Sequence, residues 1–236
     1  MRTPALIFIL LLLAAPARAL DCHTALVLAL DASDSVDPAE AELQRMGIAA
    51  ALRDPAVQSA IAPGPGAGAG IMLHVFEWSD PGETLTLAEW TWLDSAEAAE
   101  ALAAEIDARP NTYLLGQTGI GAAMERAVRQ LDIAGVECVR RVIDVSGDGP
   151  GNIGPSPDRI RASGLFDGIT INGLVIRHPS FDSAHPPGRD PLPYYQLFVR
   201  QGPGSFIMTI DGYEDYARAI RLKLLRELSP NFARLE

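Results

Sequence analysis

The segment from Thr24 to Leu30 is apolar from Ala25 onward and runs straight into Asp31-Ala32-Ser33-Asp34-Ser35. A strand with one wet face alternates apolar and polar residues, whereas one covered on both faces does not, so this run predicts a central parallel strand. Strand-like and helix-like patterns then alternate to the end of the chain. Pro38 to Leu52 reads as a helix, with Asp37 as its cap and Pro38 at its first position. Gly70 to Trp78 and Thr84 to Leu93 flank the turn-rich Ser79 to Glu83 and suit an antiparallel hairpin at one sheet edge. Ser95 to Ala108, Gly119 to Ile133 and Asp158 to Ser163 read as helices, and Val139 to Val145 and Ile169 to Ile176 as buried strands. Tyr194 to Gln201 reads helical, Ser205 to Ile210 as a last short strand, and Tyr213 to Leu228 as a closing amphipathic helix. The expected fold class is therefore α/β: a doubly wound, mostly parallel sheet with one antiparallel edge strand and helices on both faces.

Where the first strand ends, Asp31, Ser33 and Ser35 present a carboxylate and two hydroxyls together. Such clusters are common as turn and helix-capping residues. They also suit a hard divalent cation, because Mg²⁺ takes oxygen ligands at about 2.0 to 2.1 Å and few side chains are compact enough to crowd it. Two further donors stand just past element boundaries: Thr118 in Gly116 to Gly121, and Asp148 in Asp144 to Gly149.

On these residues the chain resembles the von Willebrand factor type A family, whose metal ion-dependent adhesion site combines Asp-x-Ser-x-Ser, a Thr and a later Asp. The likeness runs from about Cys22 to Leu228 and is closest to secreted bacterial members of unknown function. Asp31, Ser33 and Ser35 match the first motif, Thr118 precedes a helix as the family Thr does, and Asp148 follows an apolar strand as the family Asp does. The family often has Thr-Asp-Gly at the last motif, where this chain has Ser146-Gly147-Asp148-Gly149. The resemblance implies a Rossmann-like fold and a metal site of Asp31, Ser33, Ser35, Thr118 and Asp148, filled by Mg²⁺, with Mn²⁺ or Ca²⁺ as alternatives.

The first nineteen residues read as a secretory signal: Arg2, an apolar stretch from Ala5 to Ala15, then the small-x-small pattern Ala17-Arg18-Ala19. A retained anchor is the rival reading, but the stretch is well short of the roughly 20 residues that span a bilayer. The mature chain, residues 20–236, is then expected to be one domain, exported to the periplasm or beyond, with no membrane span. Its formal charge of −11 becomes −13 once Arg2 and Arg18 leave, which argues against nucleic acid as a partner. Two cysteines in an exported chain suggest one disulfide, the alternative being two free thiols. Cys22 lies nine residues before Asp31 and Cys138 ten before Asp148. The resemblance makes their strands neighbours, and so implies a Cys22–Cys138 bond at the end remote from the metal.

Enzyme readings find little footing. A phosphatase of the haloacid dehalogenase type needs a second Asp two positions after the first, where Ser33 stands, and neither a Gly-x-Ser-x-Gly elbow nor a Gly-x-x-x-x-Gly-Lys loop occurs. His23, His74, His178 and His185 are scattered, and Trp78, Trp90 and Trp92 suit edge-strand packing better than a ligand platform. Three neutral hydroxyls leave a cation's charge undercompensated, so the expected activity is binding: capture of a protein partner through its Asp or Glu. Asp34, Tyr113, Gly149 and Asn152, all near the same sheet end, are the expected partner-binding residues. The alternatives are a metal-dependent hydrolase and a scaffold with a vestigial metal site.

Overall fold

The computed structural model describes residues 21–62, 69–110, 114–177 and 190–228. The central strand β1 (Asp21–Asp31) is flanked by β2 (Ala69–Trp78) and β4 (Cys138–Gly147), and both pairings are parallel. With β3 (Thr84–Leu93), β5 (Thr170–Arg177) and β6 (Ile207–Asp211), the sheet runs β3-β2-β1-β4-β5-β6. Only the edge pair β2–β3 is antiparallel within this sheet, as the hairpin reading expected.

The continuous apolar character of β1 has the expected cause. Leu26, Leu28 and Leu30 enter one core with Ile48, Leu52, Leu102, Ile220 and Leu224, while Ala25, Val27 and Ala29 enter another with Met124, Val128 and Tyr195. The first core lies under α1 (Pro38–Arg53), α2 (Pro55–Ile61), α3 (Ala96–Asp107) and α7 (Tyr216–Leu228). The second lies under α4 (Ile120–Asp132), α5 (Pro157–Ala162) and α6 (Pro191–Tyr194).

Helix α1 begins as its sequence suggests. Asp37 accepts from the amides of Ala39 and Glu40, Glu40 reaches back to the Asp37 amide, and Pro38 occupies the first turn. The same Asp-Pro start recurs at Asp54-Pro55, where it opens α2, a helix the sequence reading did not anticipate. The stretch read as one helix over Tyr194 to Gln201 is instead α6 followed by a wider π-helical turn, Tyr195–Val199, after which Gln201 pairs with Ile171. The closing helix starts three residues late, behind a short 3-10 turn over Tyr213–Asp215.

Cys22 and Cys138 are register partners on β1 and β4, their Cα atoms 4.5 Å apart, and they are joined as a disulfide. The tryptophans serve packing. Trp78 is buried, Trp90 donates to the Gln130 carbonyl on α4, and Trp92 covers Gly70, where a Cβ would have no room. Among the described residues no helix is long and apolar enough to cross a membrane. Residues 1–20 and 178–189, which hold the expected signal segment, His178 and His185, lie outside the described residues.

Candidate functional site

From β1 the chain builds outward to β2 and β3, then returns to the other side of β1 to add β4, β5 and β6. The carboxyl ends of β1 and β4 therefore border the crevice where strand order reverses, the usual ligand position in open α/β sheets. Asp31 is the last residue of β1, and Asp148 follows the last residue of β4.

The structure brings the five candidate ligands together. The Ser33 amide donates to Asp31 Oδ1 at 2.9 Å. Ser33 Oγ lies 3.3 Å from Ser35 Oγ and 3.4 Å from Thr118 Oγ1. The Ser35 hydroxyl donates to Asp148 Oδ1 at 2.7 Å. Asp31, Ser33 and Thr118 form the buried floor, while Ser35 is exposed and Asp148 half-buried at the rim.

Backbone clamps position each loop. The Gln44 side-chain amide donates to the Asp31 carbonyl, and the Ala32 amide to that of Trp78, fixing the exit from β1. Asp34 engages Gly116 twice: its amide donates to the Gly116 carbonyl, and its Oδ1 accepts from the Gly116 amide, each at 2.8 Å. Asp80 Oδ1 accepts from the Gln117 amide at 2.7 Å. Asn152 Oδ1 accepts from the Thr118 amide, and the Asn152 amide donates to the Thr118 carbonyl. Thr118 is thus held at both its amide and its carbonyl before α4 begins.

Gly147 explains why this chain carries glycine ahead of Asp148. A Cβ there would come within 2.4 Å of Tyr195 Oη and 2.8 Å of Asp31 Oδ2. Only a bare backbone lets the buried carboxyl and the buried phenol approach the same point.

The electrostatics are those of a site short of positive charge. Burial, and then the neighbouring charge of Asp148, push the Asp31 carboxyl up to about 7 despite its Ser33 hydrogen bonds. The Tyr195 phenol is pushed well above its ordinary range by burial, and further by the Asp31 and Asp148 carboxylates. Asp31 Oδ2 and Tyr195 Oη are both buried without a hydrogen-bond partner in the structure. No group of three or more His, Cys, Asp or Glu side chains fit for a metal occurs among the described residues, so a cation at this site would depend on hydroxyl oxygens.

The donor set fits such an ion. Adjacent ligands on an octahedron with bonds of about 2.1 Å are roughly 3 Å apart, close to the Ser33–Ser35 and Ser33–Thr118 spacings. The shorter Ser35–Asp148 contact is an ordinary hydrogen bond, which suits Asp148 to orienting Ser35 from behind.

Of the residues expected to meet a partner, Asp34 and Asn152 each commit a side-chain oxygen to the loop clamps. Gly149 flanks the Thr118 hydroxyl, with space for a Cβ 3.8 Å from it. Tyr113 lies outside the described residues. Sequence reasoning missed Gln44, Asp80 and Tyr195. None carries a local signal, since each acts across the fold on a segment far away in the chain. The glycine at position 116 offers a hint of Asp80, whose carboxylate occupies the space its Cβ would need.

No curated protein matches the chain. Solved structures similar to it include a von Willebrand factor type A protein and a pilus adhesin. A von Willebrand factor type A protein from Catenulispora acidiphila is 14% identical, covering 87% of this chain and 43% of that one, at a TM-score of 0.57. Proximal thread matrix protein 1 from the mussel byssus, solved with a zinc-occupied metal ion-dependent adhesion site, is 18% identical over 89% and 46%, at 0.56. The pilus adhesin SpaC from Lactobacillus rhamnosus GG is 15% identical over 89% and 31%, at 0.59. Identities this low establish a shared fold, and the chain spans less than half the length of each of these structures. With the sheet order and flanking helices described above, they make the fold von Willebrand factor type A-like. The family model that matches does so over residues 21–232 and is described as a protein of unknown function, DUF1194; the chain belongs to that family.

Proposed function

We propose that this chain is an exported, divalent cation-dependent protein-binding module, a single domain over residues 20–236, which holds a partner through the partner's Asp or Glu. The observation that carries this reading is Asp31: a buried carboxyl with one oxygen unpartnered, facing three hydroxyls and a second carboxylate. In this reading Asp31, Ser33, Ser35 and Thr118 hold the ion, Mg²⁺ in the first instance, and Asp148 orients Ser35. A cation bound there would keep an open, electropositive position suited to an external carboxylate. The Asp34, Gly149 and Asn152 loops border that position and would supply the contact surface. The zinc-occupied adhesion site of the byssus protein and the adhesive role of SpaC lend support by analogy of fold. Export is supported by the Cys22–Cys138 disulfide, since such bonds persist in oxidising compartments.

The ligand assignment is tested by titrating the folded protein with Mg²⁺, Mn²⁺ and Ca²⁺ in a calorimeter, with acetate present to fill the open position. The expected result is one site per chain, lost in Asp31→Ala while circular dichroism stays unchanged. No heat from any of the three ions at millimolar concentration would refute the assignment.

A further inference from the structure

The chain has one lysine, and its other basic side chains are eighteen arginines (19 in all, less Lys223). That lysine is fully buried on α7, beneath the face of the sheet opposite α4. Its Nζ lies 3.0 Å from Asp144 Oδ1 on β4 and 3.4 Å from Glu227 Oε1, one helical turn further along α7. The contact with Asp144 is within ion-pair distance but outside hydrogen-bond geometry. Both carboxyl groups are buried as deeply as the lysine. The Phe206 ring lies 4.5 Å from Nζ and closes the site on one side. Asn172, the register partner of Asp144 on β5, donates to Glu227 Oε1 at 2.7 Å and accepts from the Phe206 amide at 3.0 Å.

An ion cluster alone is a poor account of this arrangement. Two carboxyl groups and one ammonium in a dry interior cost several kcal/mol per ion in desolvation, and apolar replacements of such clusters are often neutral or stabilising. Arginine would bridge two carboxylates better through its planar fork, and this chain uses arginine at every other cationic position. What lysine offers and arginine does not is an amine that becomes a nucleophile once it gives up a proton.

We propose that Lys223 Nζ and Asp144 Cγ condense into an intramolecular amide, with Glu227 as the proton carrier. Asp144 enters as the carboxylic acid, Lys223 as the ammonium and Glu227 as the carboxylate. Glu227 takes a proton from Nζ, the freed amine pair attacks Asp144 Cγ, and a C–N bond forms. Glu227 returns that proton to the departing hydroxyl, the C–O bond breaks, and water leaves. The nitrogen then gives a second proton to Glu227, so the products are a neutral amide, a neutral Glu227 acid and one water. Every charge in the cluster is removed.

The surroundings suit each step. Burial raises the Asp144 carboxyl above its ordinary range, which favours the acid needed for attack. Burial also raises the Glu227 carboxyl above its ordinary range, which suits it to passing a proton in both directions. Asn172 has both ends of its amide engaged, so it orients Glu227 and is not itself the electrophile. The product would tie α7 to β4, the strand already fastened to β1 at Cys138. Nothing in this chemistry uses the cation site, so the two readings stand or fall separately.

Intact-mass and peptide-map mass spectrometry of the folded exported protein, with its N-terminus read from the same peptide map, tests it. The expected result is a mass lower than the sequence and its disulfide require by that of one water, with Lys223 and Asp144 recovered in a single branched peptide. Glu227→Gln should return the missing water and yield two separate peptides, and Asp144→Asn should give the same branched peptide by loss of ammonia. The wild-type mass decides even where a variant fails to fold. A wild-type protein that, for its observed N-terminus, lacks only the two hydrogens of the disulfide, with Lys223 and Asp144 in unlinked peptides, overturns the proposal. Full linkage in Glu227→Gln overturns the role given to Glu227.

Discussion

Arg45 and Glu77 show how this fold handles charge in its interior. Arg45 on α1 donates through Nε and Nη2 to the two oxygens of Glu77 on β2, at 2.6 and 2.9 Å, and both side chains are almost wholly buried. Burial raises the Glu77 carboxyl and the guanidinium draws it back, so the pair is stable only as a pair. Arg45→Ala would leave the carboxylate unpaired in the core and is expected to cost about 3–5 kcal/mol in urea unfolding. His74 poses the opposite case. Its ring is buried on β2 without a hydrogen-bond partner, and burial followed by the charge of Arg126 lowers it from 6.5 to about 4. At 3.9 Å from the exposed Glu89, that neutral ring makes no ion pair. The unfolded chain takes up a proton near 6.5 that the folded ring refuses, so stability is full above that pH and declines as pH falls toward about 4. His74→Leu should flatten the stability profile between those values in thermal melts at stepped pH. An unchanged slope would show that His74 is not the group responsible.

At the scale of elements, legibility in the sequence followed how local the cause was. Strand β1 was readable because both its faces are buried, and α1 because Asp37 and Pro38 mark its start within three residues. Helix α2 carries the same Asp-Pro signal at Asp54 and Pro55, but with seven residues it has too little periodicity to stand out beside a Pro- and Gly-rich stretch. The π-helical turn at Tyr195 had no legible cause. It seats Tyr195 near Gly147, and that demand comes from a strand nearly fifty residues earlier. The candidate ligands were legible as motifs at strand ends, whereas the clamps at Gln44 and Asp80 exist only once the chain has folded. The disulfide joins two parallel neighbours across a sequence separation of 116. Closing a loop of that size restricts the unfolded chain by roughly 4 to 5 kcal/mol in the chain-entropy model, with native strain subtracting from it. Cys22→Ala with Cys138→Ala should therefore lower the denaturant midpoint by a few kcal/mol equivalent while leaving cation binding intact, since the bond sits at the far end of β1. Loss of cation binding in that double variant would mean the two ends of the sheet are coupled.

At the scale of the whole molecule, the net charge of −11 sets the terms on which an acidic partner group can approach. The field of the chain and the local field at Asp31 and Asp148 both repel a carboxylate, and the local one, being partly buried, is screened least by salt. A divalent ion at the crevice would reverse the local sign, so its removal would do more than delete one contact: it would leave net negative charge, shared by Asp148 and a partly protonated Asp31, where an attraction had been. Partner capture from an envelope extract should then fall by about tenfold or more with chelator, equivalent to at least ~1.4 kcal/mol. Ser33→Ala, which removes the hydroxyl central to the cluster, should match the chelator, and neither loss should be recovered by added NaCl that screens only the long-range field. Trp90→Phe, on β3 and bonded to Gln130 near the C-terminal end of α4, should capture as the wild type does. Capture indifferent to chelator would refute the cation-bridged mechanism, and capture restored by salt alone would assign the effect to net charge and not to the site.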